Sequence, residues 1–264
     1  MLITAEQILS IMAIYILPFA RLSGFLMTLS VIGSRNFPAK FRLLLALSIV
    51  VLVAPILPAT EPVELFSFAS SILVIKQTLI GIVLGFVSRL FLETFVVGGQ
   101  IVAMQSGLGF ASLVDPANGT SVPALGQFFL MLTTLLFLAF DGHLIMLRIV
   151  VESFHSLPIN SDPLSTNEDL NKMFFQIVSW FKWVFAAALL MSLVSIASLL
   201  TVNIAFGVMT RAAPQINVFA VGFPLTMVSG LILVWLTLSY FLPHFEAQLF
   251  RANQLICDMV NLEC

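Results

Sequence analysis

The sequence predicts an all-α integral membrane protein, built of long helical hairpins around a Gly/Pro-rich central loop, and three observations carry that prediction. Of the 264 residues 60% are hydrophobic and 9% charged, with mean hydropathy +1.10 and 25 Phe against two Tyr. Soluble chains carry about a quarter charged residues. Several apolar runs reach or exceed the ~20 residues that cross a bilayer. Finally, residues 93–128 begin and end as apolar helix but cannot stay helical in between. Gly107 and Gly109 loosen the backbone there, Pro116 and Pro123 forbid continued helical hydrogen bonding, and Asn118-Gly119 signals a turn. An irregular loop of about 15 residues, near positions 106–122, is expected. Within a bilayer, non-helical backbone is tolerated only where protein buries it or water reaches it. The loop should therefore line or block an aqueous passage.

Residues 8–32 form the first spanning candidate, interrupted by Pro18 and Arg21. Arg35, Lys40 and Arg42 follow with no acid among them, and the apolar run 43–57 ends at Pro55 and Pro58. Glu61 and Glu64 make the next turn acidic, so the positive-inside rule puts the basic turn in the cytoplasm and the acidic one outside. Residues 65–104 are compatible with one helix twice the length a bilayer needs. Lys76, Arg89 and Glu93 lie within it, and such charges are costly unless paired, hydrated or turned toward protein. Arg89 and Glu93, four apart, can meet on one helix face. Gly81 and Gly85 form a small-xxx-small step that admits a second helix closely.

After the loop, residues 124–157 are apolar but broken at Asp141-Gly142-His143, with Arg148, Glu152 and His155 beyond. A structural turn or interhelical hydrogen bond is the bland reading of that break; proton chemistry or a metal site is the sharper one, and the ligand spacing is poor for a metal. Residues 158–172 make the one soluble-looking loop, where Ser165 or Thr166 would cap the next helix. Residues 169–212 form a second oversized helix, anchored near its start by Trp180, Lys182 and Trp183. Along it Ser195, Leu199, Asn203 and Gly207 recur every four residues as a packing ribbon. A second irregular patch holds Arg211, Pro214, Gln215, Asn217 and Pro224, and the apolar run 225–242 follows. Residues 243–264 read as an amphipathic tail with Phe245, Leu249, Ala252 and Ile256 on one side. Cys257 and Cys264 would sit about 10 Å apart along a continuous helix, too far to bridge, which predicts free packed thiols.

These limits exclude much. A net charge of −2 without a basic patch gives no field for nucleic acid. No phosphate-binding loop, nucleophile elbow, zinc-protease helix or CxxC pair is present, so no catalytic, metal or cofactor site is expected. Arg21, Lys76, Arg89, Glu93, Asp141, His143, Asn203, Arg211, Gln215 and Asn217 are expected to make interhelical or intersubunit polar contacts. Three functions fit such a chain: a subunit of a channel assembly, a stand-alone transporter for a small solute, or a membrane scaffold with no passage.

The runs GQIVAMQSGLGFASLVDPANGTSVPALGQF, LAFDGH and NIAFGVMTRAAPQINVFAVGFP, together with FARLSGFL near the start, resemble the FliR/SctT family of type III export-gate subunits over nearly the whole chain. DPANGTSVPALGQF and APQINVFAVGFP look more like the flagellar branch than the virulence branch. The resemblance implies a bacterial inner-membrane subunit assembled with FliP and FliQ and contacting FlhB and FlhA. It implies long tilted helical hairpins, a FliP-like part joined to a FliQ-like part in one domain over 1–264, partly raised toward the periplasm. That domain divides into helices over 1–105, a plug loop over 106–123, hairpins over 124–242 and a tail over 243–264. It also implies that the stretch with Gln105, Gly107, Leu108, Gly109, Phe110, Leu113, Val114, Asp115, Pro116 and Gly119 plugs a channel for unfolded flagellar proteins.

Overall fold

The computed structural model describes residues 5–34, 37–57, 67–110, 112–114, 121–159, 167–213 and 218–262. Among them the chain forms α1 (Ala5–Thr28), α2 (Ala39–Val53), α3 (Phe68–Ser106), β1 (Ser112–Val114), β2 (Ser121–Pro123), α4 (Ala124–Ala139), α5 (Gly142–Ser156), α6 (Asn167–Ala212), α7 (Val218–Thr237) and α8 (Phe241–Met259). Helices α3 and α6, with 39 and 46 residues, run about 58 and 69 Å. Both are about twice as long as the ~30 Å hydrocarbon core is thick. The protein is an all-α membrane protein by these helices, and four helices among the described residues are long and apolar enough to cross a bilayer.

Pro18 and Arg21, expected to interrupt the first helix, do not; α1 runs through both. Pro224 likewise lies inside α7 and not in an irregular patch. Neighbouring chain can re-satisfy the backbone carbonyl that a helical proline frees, so apolar helices tolerate it. At Asp141 the expected break is present. Asp141 takes a left-handed φ of 53°, its carbonyl accepts from Leu144 and Ile145, and α5 starts there. Ser165 and Thr166 lie outside the described residues.

The contacts divide the chain into two compact units. The first comprises Met1–Leu90, Phe137–Trp180 and Arg251–Cys264. Here α1 crosses α3 at contact distance because glycines keep both backbones bare at the crossing. A Cβ on Gly24 would sit 2.5 Å from the Thr78 carbonyl oxygen. One on Gly81 would strike the Arg21 carbonyl, and one on Gly85 the Thr28 hydroxyl. The sequence step Gly81-xxx-Gly85 is thus a close helix contact, locked by Thr28 Oγ1 donating to the Ile82 carbonyl at 3.1 Å. The Ser30 amide adds a 3.0 Å bond to Ser88 Oγ. Leu17, Leu73, Phe154 and Ile159 close an apolar cluster in the same unit.

The second unit comprises Phe91–Leu136 and Phe181–Phe250. Its core is a run of phenylalanine rings: Phe91 on Phe95 and Phe245, and Phe95 and Phe129 on Phe241, with centroids 5.3–5.5 Å apart. Paired spacings of four, Phe91 with Phe95 and Phe241 with Phe245, set the rings one turn apart on α3 and α8. The tail is helical, and Phe245, Leu249, Ala252 and Ile256 are all buried as its pattern demands.

The thiol expectation fails. Cys257 is disulfide-bonded, and Cys264, the sequence's other cysteine, lies outside the described residues. A separation of about 10 Å requires a helix running on to residue 264. Instead α8 stops at Met259, Asn261 turns left-handed at φ 51°, and the Leu262 amide reaches back to the Cys257 carbonyl at 2.9 Å. That i+5 bond is a Schellman stop, so the continuous helix on which the ~10 Å separation was reckoned ends at Met259.

Gly81→Leu should cost about 3 kcal/mol or prevent folding, since the clash is with backbone. Gly207→Ala should be neutral or stabilising by up to ~1 kcal/mol, because nothing lies within 4 Å of a Cβ there. Thermal melting of the detergent-solubilised chain checks both, and equal melting points for the two variants would contradict the close contact.

Candidate functional site

The candidate site is the break between α3 and α4, and its geometry starts at the end of α3. Ser106 is buried and turns its hydroxyl back onto the Val102 and Ala103 carbonyls at 2.8 and 3.2 Å, finishing the last turn. Gly107 then adopts φ +78°, a region closed to most side chains. A Cβ there would also lie 3.0 Å from the ring of Phe223 on α7, so two constraints select glycine at one position. Gly230, on the same helix as Phe223, meets the Ser106 side chain directly. A short 3₁₀ turn over Leu108–Phe110 leads toward β1.

The expected irregular loop is not what the described residues show. β1 and β2 pair antiparallel, with Ser112 opposite Pro123, Leu113 opposite Val122 and Val114 opposite Ser121. The physical reason is backbone accounting: away from water each peptide group needs a partner, and a two-stranded ladder supplies them where a helix cannot continue. Pro123 ends β2 and immediately precedes α4, a position where a missing N–H costs nothing.

What holds the two stems of this hairpin together was not apparent from the sequence. Gly99 of α3 lies against Leu125, Gly126 and Phe129 of α4, and a Cβ on it would come within 2.6 Å of the Phe129 ring. Gly126 lies against Gln100 and Val96 in return, where a Cβ would meet them at 3.1 and 3.5 Å. Gly98, next along, faces Ala188 and Met191 of α6. These three glycines bring α3 into contact with two helices at its C-terminal end. The signal was present as Gly98-Gly99 and Gly126, but nothing in one sequence says which glycines meet.

Of the residues expected in the plug, Gln105 is in the last turn of α3, half-buried, and Gly107, Leu108 and Gly109 are half-buried after it. Phe110, Leu113 and Val114 are placed by backbone, in the 3₁₀ turn and β1. Asp115, Pro116 and Gly119 lie outside the described residues, as do Gln215 and Asn217.

Among the polar residues, Arg21 is placed most tightly. Its side chain is fully buried, donating from Nε to Gln77 Oε1 at 2.7 Å, from Nη1 to the Ser153 carbonyl and hydroxyl at 3.0 Å each, and from Nη2 to the Leu157 carbonyl at 2.8 Å. The guanidinium carbon stands 4.1 Å from the centroid of the Phe154 ring. The Ser153 and Leu157 carbonyls lie at the end of α5, where the helix dipole accumulates negative charge; Ser153 accepts the closing helical bond from the Leu157 amide at 2.9 Å as well as Arg21. Arg21 therefore ties α1 and α3 to the C-terminus of α5 inside the first unit. The sequence showed a lone arginine in an apolar helix but not its acceptors, because carbonyls are invisible in a sequence.

Lys76 is buried, Glu93 half-buried and Arg89 exposed on α3, and each takes part in a polar interaction. Arg148 and Glu152 form an ion pair at 2.7 Å, an exposed i,i+4 contact of small energetic value. Asp141 is exposed, and His143 is half-buried with Nδ1 shielded from solvent. Asn203 and Arg211 are exposed on α6. Its predicted ribbon is therefore split: Ser195 and Leu199 are buried, whereas Asn203 and Gly207 face outward.

Residues 12–252 match the family model of bacterial export proteins, family 1. The chain is 36% identical to the flagellar biosynthetic protein FliR of Escherichia coli K12 over 259 residues, 98% of this chain and 97% of that one. It is 34% identical to FliR of Pectobacterium carotovorum subsp. carotovorum, over 92% of this chain and 91% of that one. To FliR of Bacillus subtilis 168 the identity is 28%, over 89% of each.

Arg21→Met should destabilise the fold by about 3 kcal/mol, because Gln77 and the Leu157 carbonyl lose the donor Arg21 supplies while staying buried, and Ser153 loses one of its bonds. Arg21→Lys should recover less than half of that, since one ammonium cannot span all four acceptors or stack on Phe154. Thermal melting of the purified chain decides it; full rescue by Lys would reduce Arg21 to a point charge.

Proposed function

The chain belongs to the bacterial export proteins, family 1, and from that premise we propose that it is a core subunit of the flagellar type III export gate. In this reading it assembles with FliP and FliQ, contacts FlhB and FlhA, and forms part of a conduit for unfolded flagellar proteins across the inner membrane. The observation that carries it is the apolar surface of α6. Exposed apolar side chains run from Phe174 to Met209, about 52 Å along the axis. Covering that length with a ~30 Å hydrocarbon layer would demand a tilt of roughly 55°, beyond the range of about 0–40° that membrane helices adopt. Lipid alone cannot cover it, so other protein must, and a stand-alone transporter has none to offer. In the same reading the assembly is partly raised toward the periplasm, a placement that the excess length accommodates.

The hairpin between α3 and α4 is read as the plug of the resting conduit. Leu108, Phe110, Leu113 and Val114 are apolar residue types, suited to excluding water and ions from a lumen. Gly107 and Gly109 let the segment move on a base that Gly99, Gly126 and Gly230 hold in place. Arg89 and Glu93 are read as a polar pair that supports assembly.

Deleting residues 108–119 should leave the complex assembled while small ions leak across the inner membrane. Unchanged conductance in cells carrying the deletion removes the plug role. Reversing Arg89 or Glu93 singly should lower assembled complex on native gels, and reversing both should partly restore it; a double variant no better than the singles shows they are not partners.

A further inference from the structure

Between α1 and α2 lies an apolar cavity of about 280 Å³, lined by Phe19, Ser23, Leu26 and Met27 on one side and Ala39, Arg42 and Leu43 on the other. The first four share one face of α1 and the last three one face of the first turn of α2. Ser23 turns its hydroxyl to its own Ala20 carbonyl at 3.1 Å, so the interior offers methylene and ring surface. Arg42 is the one charged group in that lining. Its guanidinium is held by Nε and Nη2 on the Phe37 carbonyl at 3.3 and 2.8 Å and by Nη2 on the Ser34 carbonyl at 3.3 Å. Nη1 has no partner among the described residues.

The charges near the mouth along the chain are positive. The α2 N-terminus starts after Pro38, has no side-chain cap and no acid in its first turn. The Phe41 amide bonds the Pro38 carbonyl at 3.0 Å, which leaves the Ala39 and Lys40 amides open to an anion. Lys40 is exposed on that same turn. Between Glu6 and Glu61 the sequence holds no acidic residue at all. Beyond this turn α2 is apolar on every side, burying Ala46 and Val50 and exposing Leu43, Leu44, Leu47, Val51 and Leu52. The groove thus opens where a greasy helix meets a basic turn, the place in a bilayer where phosphate lies above hydrocarbon.

We propose that this groove is a binding site for an anionic phospholipid, with one acyl chain between α1 and α2 and the phosphate on Arg42, Lys40 and the α2 N-terminus. The pairing is by charge complementarity: fixed cationic donors at the mouth, and an apolar slot with no polar group of its own to satisfy behind it. A partner helix would need an acidic end to match the mouth, whereas phospholipid carries both halves in one molecule.

The test uses the intact purified complex in nanodiscs, with photoactivatable phosphatidylglycerol and, separately, phosphatidylcholine bearing the same reactive acyl chain. Phosphatidylglycerol should label residues 19–27 and 39–43 in preference to phosphatidylcholine. Arg42→Gln should lower that labelling about fivefold, the equivalent of one basic residue's attraction to an anionic lipid. Arg42→Lys should keep most of it, and Ser23→Phe, which fills the slot and leaves the charge, should lower labelling without touching the mouth. Millimolar inorganic phosphate should not compete. Equal labelling by the two lipids, full competition by phosphate, or a photocrosslinker at Met27 that captures a polypeptide in place of lipid would each overturn the proposal. An exposed cation elsewhere, changed as Arg211→Gln, serves as the control and should leave labelling unchanged.

Discussion

Every polar group in so apolar a chain has to be satisfied by the chain itself or by another protein, and the buried guanidinium of Arg21 shows what that requires. Its bonds go to an amide, a hydroxyl and two backbone carbonyls, with an aromatic face beside it. Among the described residues no carboxylate faces it. Carbonyls at a helix end are a suitable counterweight because they carry the negative end of the helix dipole and have lone pairs to spare. α5 ends at Ser156 because Pro158 follows the C-cap residue Leu157 and cannot continue the helix, and Arg21 takes the Leu157 carbonyl beyond that end.

The same obligation shapes the glycines. Where helices of a membrane protein meet, lipid tails are as apolar as the side chains, so close van der Waals contact and hydrogen bonding must provide the association. Gly24, Gly81 and Gly85 give α1 and α3 that approach in one unit, and Gly98, Gly99 and Gly126 give it to α3, α4 and α6 in the other. Helix α3 contributes to both sets. In its most apolar stretch 72% of residues are buried, against 17% for the α2 span and for Val221–Met259. Its length is therefore no anomaly of composition: it is the helix around which each unit packs, while α2 and α7 keep most of their surface outward.

The break between α3 and α4 follows from the same accounting. Gly107, Pro116 and Pro123 rule out a helix, and that was readable directly from residue types. The two short strands were not, because Ser112–Val114 and Ser121–Pro123 are too brief for alternation to register. Their pairing is decided by the close approach of the stems, which puts two short segments side by side and leaves their peptide groups no better partners than each other.

Residue types and their spacing were enough to establish the class of the protein, the order of its helices, the breaks at Gly107 and Asp141, the buried face of α8 and, through two long and two short runs of residues, the family. Those features depend on composition, periodicity and residue-specific backbone limits, all of which are local. Only the folded chain reveals that Arg21 meets Gln77, Ser153 and Leu157, that Gly99 meets Phe129, and that Asn203 and Gly207 face outward from a ribbon whose other half is buried. It also overturned the free thiols, since a Schellman stop at Asn261 changed the path of the last turn. Most of these are contacts between backbone atoms or side chains up to 136 positions apart. Apolar helices with nearly uniform faces carry no pattern that says which face turns to which neighbour.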